Sequence, residues 1–112
     1  MASKELVAAS SRPLILAVLR SGESYGYAIL KEVRELSDGD LDWADGMLYP
    51  VLRRLENEGL VRSRWALSPE GRRRRYYSLT KRGAAEASAG REEWVSVDRT
   101  LRKAWRLADQ RA

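Results

Sequence analysis

The side chains that could carry chemistry in this sequence are arginines and aromatic rings. Four consecutive arginines occupy positions 72–75, and Tyr49 and Arg53 are four residues apart, so they would share one face of a helix. Trp94 and Asp98 have the same spacing. Guanidinium groups bind phosphates and guanine edges, and an aromatic ring beside a carboxylate suits a flat cation. These residues therefore indicate binding of a polyanion and of planar molecules.

Histidine and cysteine are both absent from the 112 residues. Their absence excludes disulfides, thiolate nucleophiles, the common zinc sites and every catalytic triad that uses an imidazole base. An enzyme would have to use Asp, Glu, Lys or Tyr, and the sequence shows no convincing pair of carboxylates. We therefore expect a protein that is not an enzyme and that uses no metal or cofactor.

The net charge of +5 is unevenly distributed along the chain. Residues 1–56 carry seven basic and nine acidic side chains, whereas residues 57–112 carry fourteen basic and seven acidic ones. A basic half on a small domain favours a nucleic-acid partner, although a solvated arginine-rich surface would give the same count. The longest apolar run is too short for a membrane span, and the N-terminus lacks an export-signal pattern. We expect a cytoplasmic protein with no membrane partner.

Three amphipathic helices are predicted in the first half of the chain. Apolar residues recur with helical periodicity over residues 5–20, 25–37 and 45–58. Ser11 is a potential N-cap inside the first of these segments, which would then be two helical pieces or one kinked helix. Ser24 is the expected N-cap of the second helix. Ala44 stands where a capping side chain is usual, so the third helix should begin without a side-chain cap.

A β hairpin and a long last helix are predicted in the second half. Residues alternate with period two on either side of a tight turn at 68–71, which indicates two antiparallel strands. Trp43 and Trp65 are expected in the core. Thr80 should cap a helix over residues 81–109, in which apolar or small residues recur every seven positions and predict packing against a second copy of the chain. These seam residues are Ala87, Gly90, Trp94, Val97, Leu101, Ala104 and Ala108.

The element order matches that of a winged helix-turn-helix, in which one helix enters the major groove and the hairpin, or wing, touches the flanking backbone. We expect a mainly α protein with a small β hairpin. Residues 1–80 would form the DNA-binding domain, and residues 81–112 a dimerisation helix, together in one compact unit. The alternative is a small α+β protein whose basic hairpin is only solvated. Alternation would place Arg72 and Arg74 on one side of the hairpin and Arg73 and Arg75 on the other.

Three motifs in this order resemble the PadR-like family of transcriptional regulators. They are Gly-Tyr-x-Ile at residues 26–29, Leu-Tyr-Pro-x-Leu-x-x-Leu-Glu-x-x-Gly-Leu at 48–60, and Gly-Arg-x-x-x-Tyr-Tyr-x-Leu-Thr-x-x-Gly at 71–83. The resemblance covers nearly the whole chain. Trp94 followed by Val97 and Asp98 is similar to the short multidrug-sensing branch of that family. This resemblance implies a dimeric repressor that holds flat aromatic drugs between paired tryptophans at the dimer interface.

Two sets of site residues follow. The expected DNA-contacting residues are Tyr25, Tyr49, Pro50, Arg53, Arg54, Arg72, Arg73 and Arg74. The expected ligand-contacting residues are Ala9, Trp94, Val97, Asp98 and Leu101. Tyr49 could instead pack between helices with its hydroxyl in water. Trp94 could likewise be a seam residue, with Asp98 paired to Arg102.

The functional prediction is a homodimeric repressor that binds a double-stranded DNA operator and is released by a planar aromatic effector. Ligand binding at the dimer interface would favour a wing-to-wing spacing that no longer fits two successive grooves. The alternative is a constitutive nucleic-acid-binding module, on DNA or structured RNA, that has no small-molecule effector.

Overall fold

Four α-helices and a three-stranded antiparallel sheet make up the chain in this computed structural model, which describes residues 2–112. The elements are α1 Lys4–Arg20, β1 Ser24–Tyr25, α2 Gly26–Leu36, α3 Asp45–Asn57, β2 Val61–Leu67, β3 Arg73–Leu79 and α4 Lys81–Arg111. This order confirms the prediction of a mainly α protein with a winged helix-turn-helix arrangement and a long last helix. The helix bounds differ from the predicted ones by a few residues at most.

The first helix, α1, is continuous, so the prediction of a second N-cap at Ser11 is wrong. Ser11 is buried inside the helix, and its hydroxyl donates a hydrogen bond of 3.1 Å to the carbonyl of Ala8. The helix begins at Ser3 instead, whose hydroxyl accepts a hydrogen bond of 3.2 Å from the backbone N–H of Leu6. Packing of the apolar face of α1 on the core outweighs the local signal at Ser11-Arg12-Pro13.

The core lies between α1, α2, α3 and the sheet. The buried apolar side chains are Ile15, Leu16, Val18, Leu19, Ile29, Val33, Trp43, Leu48, Val51, Leu52, Leu55, Leu60, Val61 and Tyr77. The predicted stripe of α3 is buried along its whole length, because its members are spaced three and four residues apart and face one way. Trp43 is buried as predicted, whereas Leu36 is exposed at the last turn of α2.

The sheet contains one strand, β1, that the sequence pattern does not predict. Ser24 pairs with Tyr77 and Tyr25 with Tyr76, so β1 lies beside β3 and the strand order is β1-β3-β2. Ser24 therefore belongs to a strand and does not cap α2, whose N-cap is Tyr25 without a side-chain hydrogen bond. A two-residue strand is too short to show any periodicity, so only its pairing reveals it.

The wing consists of β2 and β3 and the turn between them. The backbone N–H of Gly71 donates to the carbonyl of Ser68 at 2.9 Å, and Gly71 has a φ of +82°, the left-handed conformation that glycine adopts most easily. The register sets Trp65 opposite Arg75. The prediction that Trp65 is a core residue is wrong, because 56% of it is exposed. Trp65 lies on the same face of the wing as the buried Val61 and Tyr77, but further toward the turn, where it lines the space beside α3 instead of packing in the core.

The last helix, α4, begins at Thr80 as predicted, where the hydroxyl accepts a hydrogen bond of 3.0 Å from the backbone N–H of Gly83. The helix has 31 residues, and every side chain from position 91 onward is exposed. Its projection makes the chain 60 Å long and only 28 by 21 Å across. None of the helices in residues 2–112 has both the length and the hydropathy needed to cross a bilayer.

Candidate nucleic-acid interface

Helix α3 presents two of the predicted DNA-contacting side chains on its exposed face. Tyr49 is 44% exposed, and Arg53 lies one turn further along the same face. The N-cap of α3 is Ala44, which makes no side-chain hydrogen bond, as the sequence predicts. The buried apolar residues of α3 pack that helix against the core, so the opposite, polar face of α3 is exposed.

The wing lies beside this face of α3, and the two enclose an open cleft of about 800 Å³. The residues lining it are Tyr25, Gly26, Tyr27, Tyr49, Arg53, Glu56, Trp65, Arg72, Arg73, Arg74, Arg75 and Tyr77. The cleft therefore brings together six of the eight residues predicted to contact DNA. It carries five arginines against a single carboxylate, so it is strongly basic and suited to a polyanion.

The four consecutive arginines of the wing have different surroundings. The guanidinium of Arg74 lies 4.2 Å from the ring centroid of Tyr25 and pairs with Glu70 at 3.5 Å. That of Arg73 lies 4.9 Å from the ring centroid of Trp65. Arg72 has neither an ion pair nor an aromatic partner within residues 2–112. The side chains of Arg72 and Arg73 are thus the most accessible to a phosphate.

Tyr77 forms part of the cleft floor, and its side chain is buried. Burial raises the pKa of the Tyr77 phenol above its ordinary value of 10.0. The phenol therefore remains neutral at physiological pH.

The remaining two predicted DNA-contacting residues lie on another side of α3. Pro50 and Arg54 line a shallow depression together with Arg12 of α1. Arg12 holds the end of α3 through two hydrogen bonds of 2.8 Å to Glu58, and this fork lowers the pKa of the Glu58 carboxyl. Pro50 and Arg54 therefore flank the cleft without entering it.

A second groove, of about 640 Å³, separates α1 from α4. Trp94 forms one wall and Pro13, Leu14 and Ala17 the other. The other predicted ligand-contacting residues, Ala9, Val97, Asp98 and Leu101, are exposed and do not line this groove. The carboxylate of Asp98 accepts a hydrogen bond of 2.9 Å from Nε of Arg102, the pairing that the alternative interpretation predicts.

Four residues that line the cleft are absent from the predicted DNA-contacting set, namely Glu56, Trp65, Arg75 and Tyr77. Glu56 lies three residues after Arg53, a helical spacing that does place it on the same face. For Trp65 the local pattern gives only the face of the strand: alternation places it on the same side as the buried Val61, but does not show where along the strand the core ends and the cleft begins.

An exposed helix packed across its predecessor and followed by a basic two-stranded wing defines the winged helix-turn-helix class of DNA-binding proteins. The sequence matches the PadR-like family of transcriptional regulators over residues 15–89, and the chain belongs to this family. It is therefore a transcriptional regulator of a family of DNA-binding proteins.

Known proteins agree with this assignment. The chain is similar to a transcriptional regulator from Clostridium thermocellum, with 29% identity, a TM-score of 0.81, and coverage of 92% of this chain and 97% of that one. It is also similar to a PadR family transcription regulator from Clostridium difficile, with 30% identity, a TM-score of 0.75, and coverage of 84% and 96%. The transcriptional regulator YqjI of Escherichia coli is 28% identical over 91 residues, which are 81% of this chain and 42% of YqjI.

Proposed function

We propose that this chain is a homodimeric repressor that binds a pseudo-palindromic DNA operator through α3 and the wing. Residues 1–80 would form the DNA-binding domain, and residues 81–112 the dimerisation helix. The observation that carries this proposal is the single basic cleft that Arg53 of α3 shares with the arginines of the wing. A helix in the major groove and a wing on the flanking backbone would use these two sets of side chains at the same time.

The residues of the cleft have separate roles in this proposal. Arg53 reads a guanine edge or holds a phosphate, and the hydroxyl of Tyr49 donates to the backbone. Arg72 and Arg73 contact phosphates, while Arg74 adds charge from its position on Tyr25. Pro50 and Arg54 contact the backbone on the far side of α3.

Dimerisation is supported by the composition of the projecting part of α4. It exposes two tryptophans and several aliphatic side chains, namely Trp94, Val95, Val97, Leu101, Trp105 and Leu107. Apolar exposure at this density on one helix is typical of an interface. The seven-residue repeat of the seam favours a second copy of α4 as the covering element. Light scattering in moderate salt should therefore give twice the chain mass of 12.8 kDa, and a monomer at micromolar concentration would contradict the proposal.

Release by a planar aromatic ligand is supported by the groove at Trp94. An exposed indole on one wall and aliphatic side chains on the other would stack and enclose a flat ring, and a second chain would close the open side. Binding there would shift the dimer toward a wing spacing that does not fit the operator. A constitutive regulator without an effector is the second candidate, which the Asp98–Arg102 pair favours because it occupies the carboxylate assigned to a cationic ligand.

The test of DNA binding begins with selection of bound duplexes from a random pool, followed by affinity measurements on the selected sequence. Arg53→Ala should weaken binding by about 1–3 kcal/mol if the guanidinium makes a bidentate base contact. Arg111→Ala removes the same charge at the far end of α4 and is the matched control. Equal affinities for the two variants would contradict the role of α3.

A further inference from the structure

Arg75 is the most firmly held of the four consecutive arginines of the wing. Its Nη2 donates to Oε1 of Glu56 at 3.0 Å, and its Nε donates to Oγ of Ser63 at 2.9 Å. The hydroxyl of Ser63 in turn donates to Oε2 of Glu56 at 2.6 Å. Three hydrogen bonds thus form a closed ring that joins α3, β2 and β3.

Two aromatic side chains also help to hold the guanidinium of Arg75 in place. The guanidinium of Arg75 lies 5.9 Å from the ring centroid of Trp65 and 5.7 Å from that of Tyr77. Both distances are within the range of cation–π attraction. A phosphate contact by Arg75 would have to compete with all of these partners, whereas Arg72 and Arg73 have no such hydrogen bonds in the described chain.

This ring of hydrogen bonds links α3 to the wing, the two elements whose relative orientation sets the shape of the cleft. Glu56 lies on α3 close to Arg53, and Arg75 lies on the same side of β3 as Arg73, since both guanidinium groups approach Trp65. A change in the angle between the wing and α3 would therefore move the phosphate-contacting arginines relative to Arg53. In the proposed complex α3 enters a major groove while the wing contacts the flanking backbone. Binding by both elements at once therefore tolerates little change in the angle between them.

The ring also neutralises the only carboxylate of the cleft. Glu56 is partly exposed there, and without Arg75 its charge would repel the phosphates of a bound duplex. Because Arg75 neutralises Glu56, the other four arginines of the cleft keep their positive electrostatic potential.

We propose that Arg75, held by Glu56 and Ser63, is a positioning residue that fixes the wing against α3 and does not itself contact phosphate. This proposal rests on the proposed DNA-binding function. Loss of the ring lowers discrimination between operator and random sequence more than it lowers affinity for DNA in general. General affinity depends on the number of phosphate contacts, and discrimination depends on the position of α3.

The test compares Glu56→Gln, Arg75→Gln and the double variant with the parent, on the selected operator and on random duplex over a range of salt concentrations. Each single variant should lower the ratio of operator to random affinity by about tenfold, the effect of one charge-assisted hydrogen bond. The double variant should be no worse than the singles, because both changes remove the same contact. The salt slope for Arg75→Gln should remain that of the parent, whereas Arg72→Gln should lower it by about 0.9.

Two results would overturn the proposal. The first is a salt slope for Arg75→Gln that is about 0.9 lower than that of the parent, which would mean that Arg75 contacts phosphate. The second is an unchanged operator-to-random ratio for Glu56→Gln together with tighter binding to both duplexes, which would mean that Glu56 only reduces the charge of the cleft. Arg62→Gln, on the exposed opposite face of β2, is the control for loss of charge from the wing.

A measurement without DNA separates this proposal from the proposed function. Amide exchange in free Arg75→Gln should accelerate in β2 and β3 and remain unchanged in the buried turns of α3. Unchanged exchange in the wing would contradict the positioning role even if the protein binds its operator. If the parent protein binds no duplex but amide exchange in the wing is faster in Arg75→Gln than in the parent, the DNA-binding proposal fails, whereas the proposal that Arg75 restrains the wing is supported.

Discussion

Tyr49 of α3 lies so closely over Gly26 at the start of α2 that a Cβ atom at position 26 would be 2.7 Å from Cζ of the tyrosine. No real Cβ atom sits at that distance, so the close approach requires glycine. The contact orients a half-exposed ring in the cleft. Tyr49 is therefore both a packing residue between the two helices and an accessible one.

Replacing Gly26 with alanine should displace the Tyr49 ring and weaken operator binding several-fold. The overall stability should change by less than about 1 kcal/mol, because the exposed ring can swing into the cleft without opening a cavity. The measurement is operator affinity beside urea unfolding. In a Tyr49→Ala background the same change should have no further effect on DNA, and an additive loss would mean that Gly26 acts by another route.

Thr80 and Gly83 form the junction between the wing and α4. The hydroxyl of Thr80 donates to the carbonyl of Gly59 at 2.6 Å while it accepts from Gly83. Thr80→Ala should lower the free energy of unfolding by about 1–2 kcal/mol, and Thr80→Ser, which keeps the hydroxyl, should stay close to the parent. Urea unfolding at one fixed protein concentration measures both.

Gly83→Ala should be more damaging than either change at Thr80. A Cβ at position 83 would lie 2.9 Å from the carbonyl carbon of Leu60, and backbone cannot rotate away as a side chain can. The start of α4 must shift, so we expect a loss of at least about 3 kcal/mol or failure to fold. A variant as stable as the parent would show that α4 is free to move at this junction.

The phenol of Tyr77 should make the protein sensitive to alkali. Its folded pKa is raised by burial, so its contribution to stability is complete below the unfolded pKa of about 10 and is lost as the pH rises above that value. Tyrosinate absorbance and urea unfolding, at about pH 9 and about pH 11, measure the effect. Tyr77→Phe keeps the buried ring and should lose less stability over this interval. Equal losses would assign the alkaline effect to other groups.

Trp94→Ala should abolish the response to planar aromatic compounds while leaving the dimer and operator binding intact. The indole forms a wall of the groove between α1 and α4, which shares no lining residue with the basic cleft. Saturable quenching of tryptophan fluorescence by such compounds in the parent, and its loss in the variant, is the measurement. If dimerisation and DNA binding fall together instead, Trp94 is a packing residue of the seam, with a cost of about 3–5 kcal/mol.

Local signals in the sequence were sufficient for much of the fold. The buried stripe of α3, the turn at Ser68–Gly71 and the cap at Thr80 each depend on residues close together in the chain. Their hydrogen bonds and periodicities are therefore visible without knowledge of the rest of the structure. The basic character of the wing also follows from composition alone.

Contacts between residues that are distant in the sequence determine the surroundings of the side chains in the cleft. Ser24 pairs with Tyr77 across more than fifty residues, and Glu56 captures Arg75 from another element. Trp65 and Arg75 carry no local mark of their surroundings, because alternation separates the two faces of a strand without showing which neighbour meets either face. The sequence by itself determined the elements and the charge of this regulator. Only the tertiary structure determined which arginines are accessible in the cleft and which one is held.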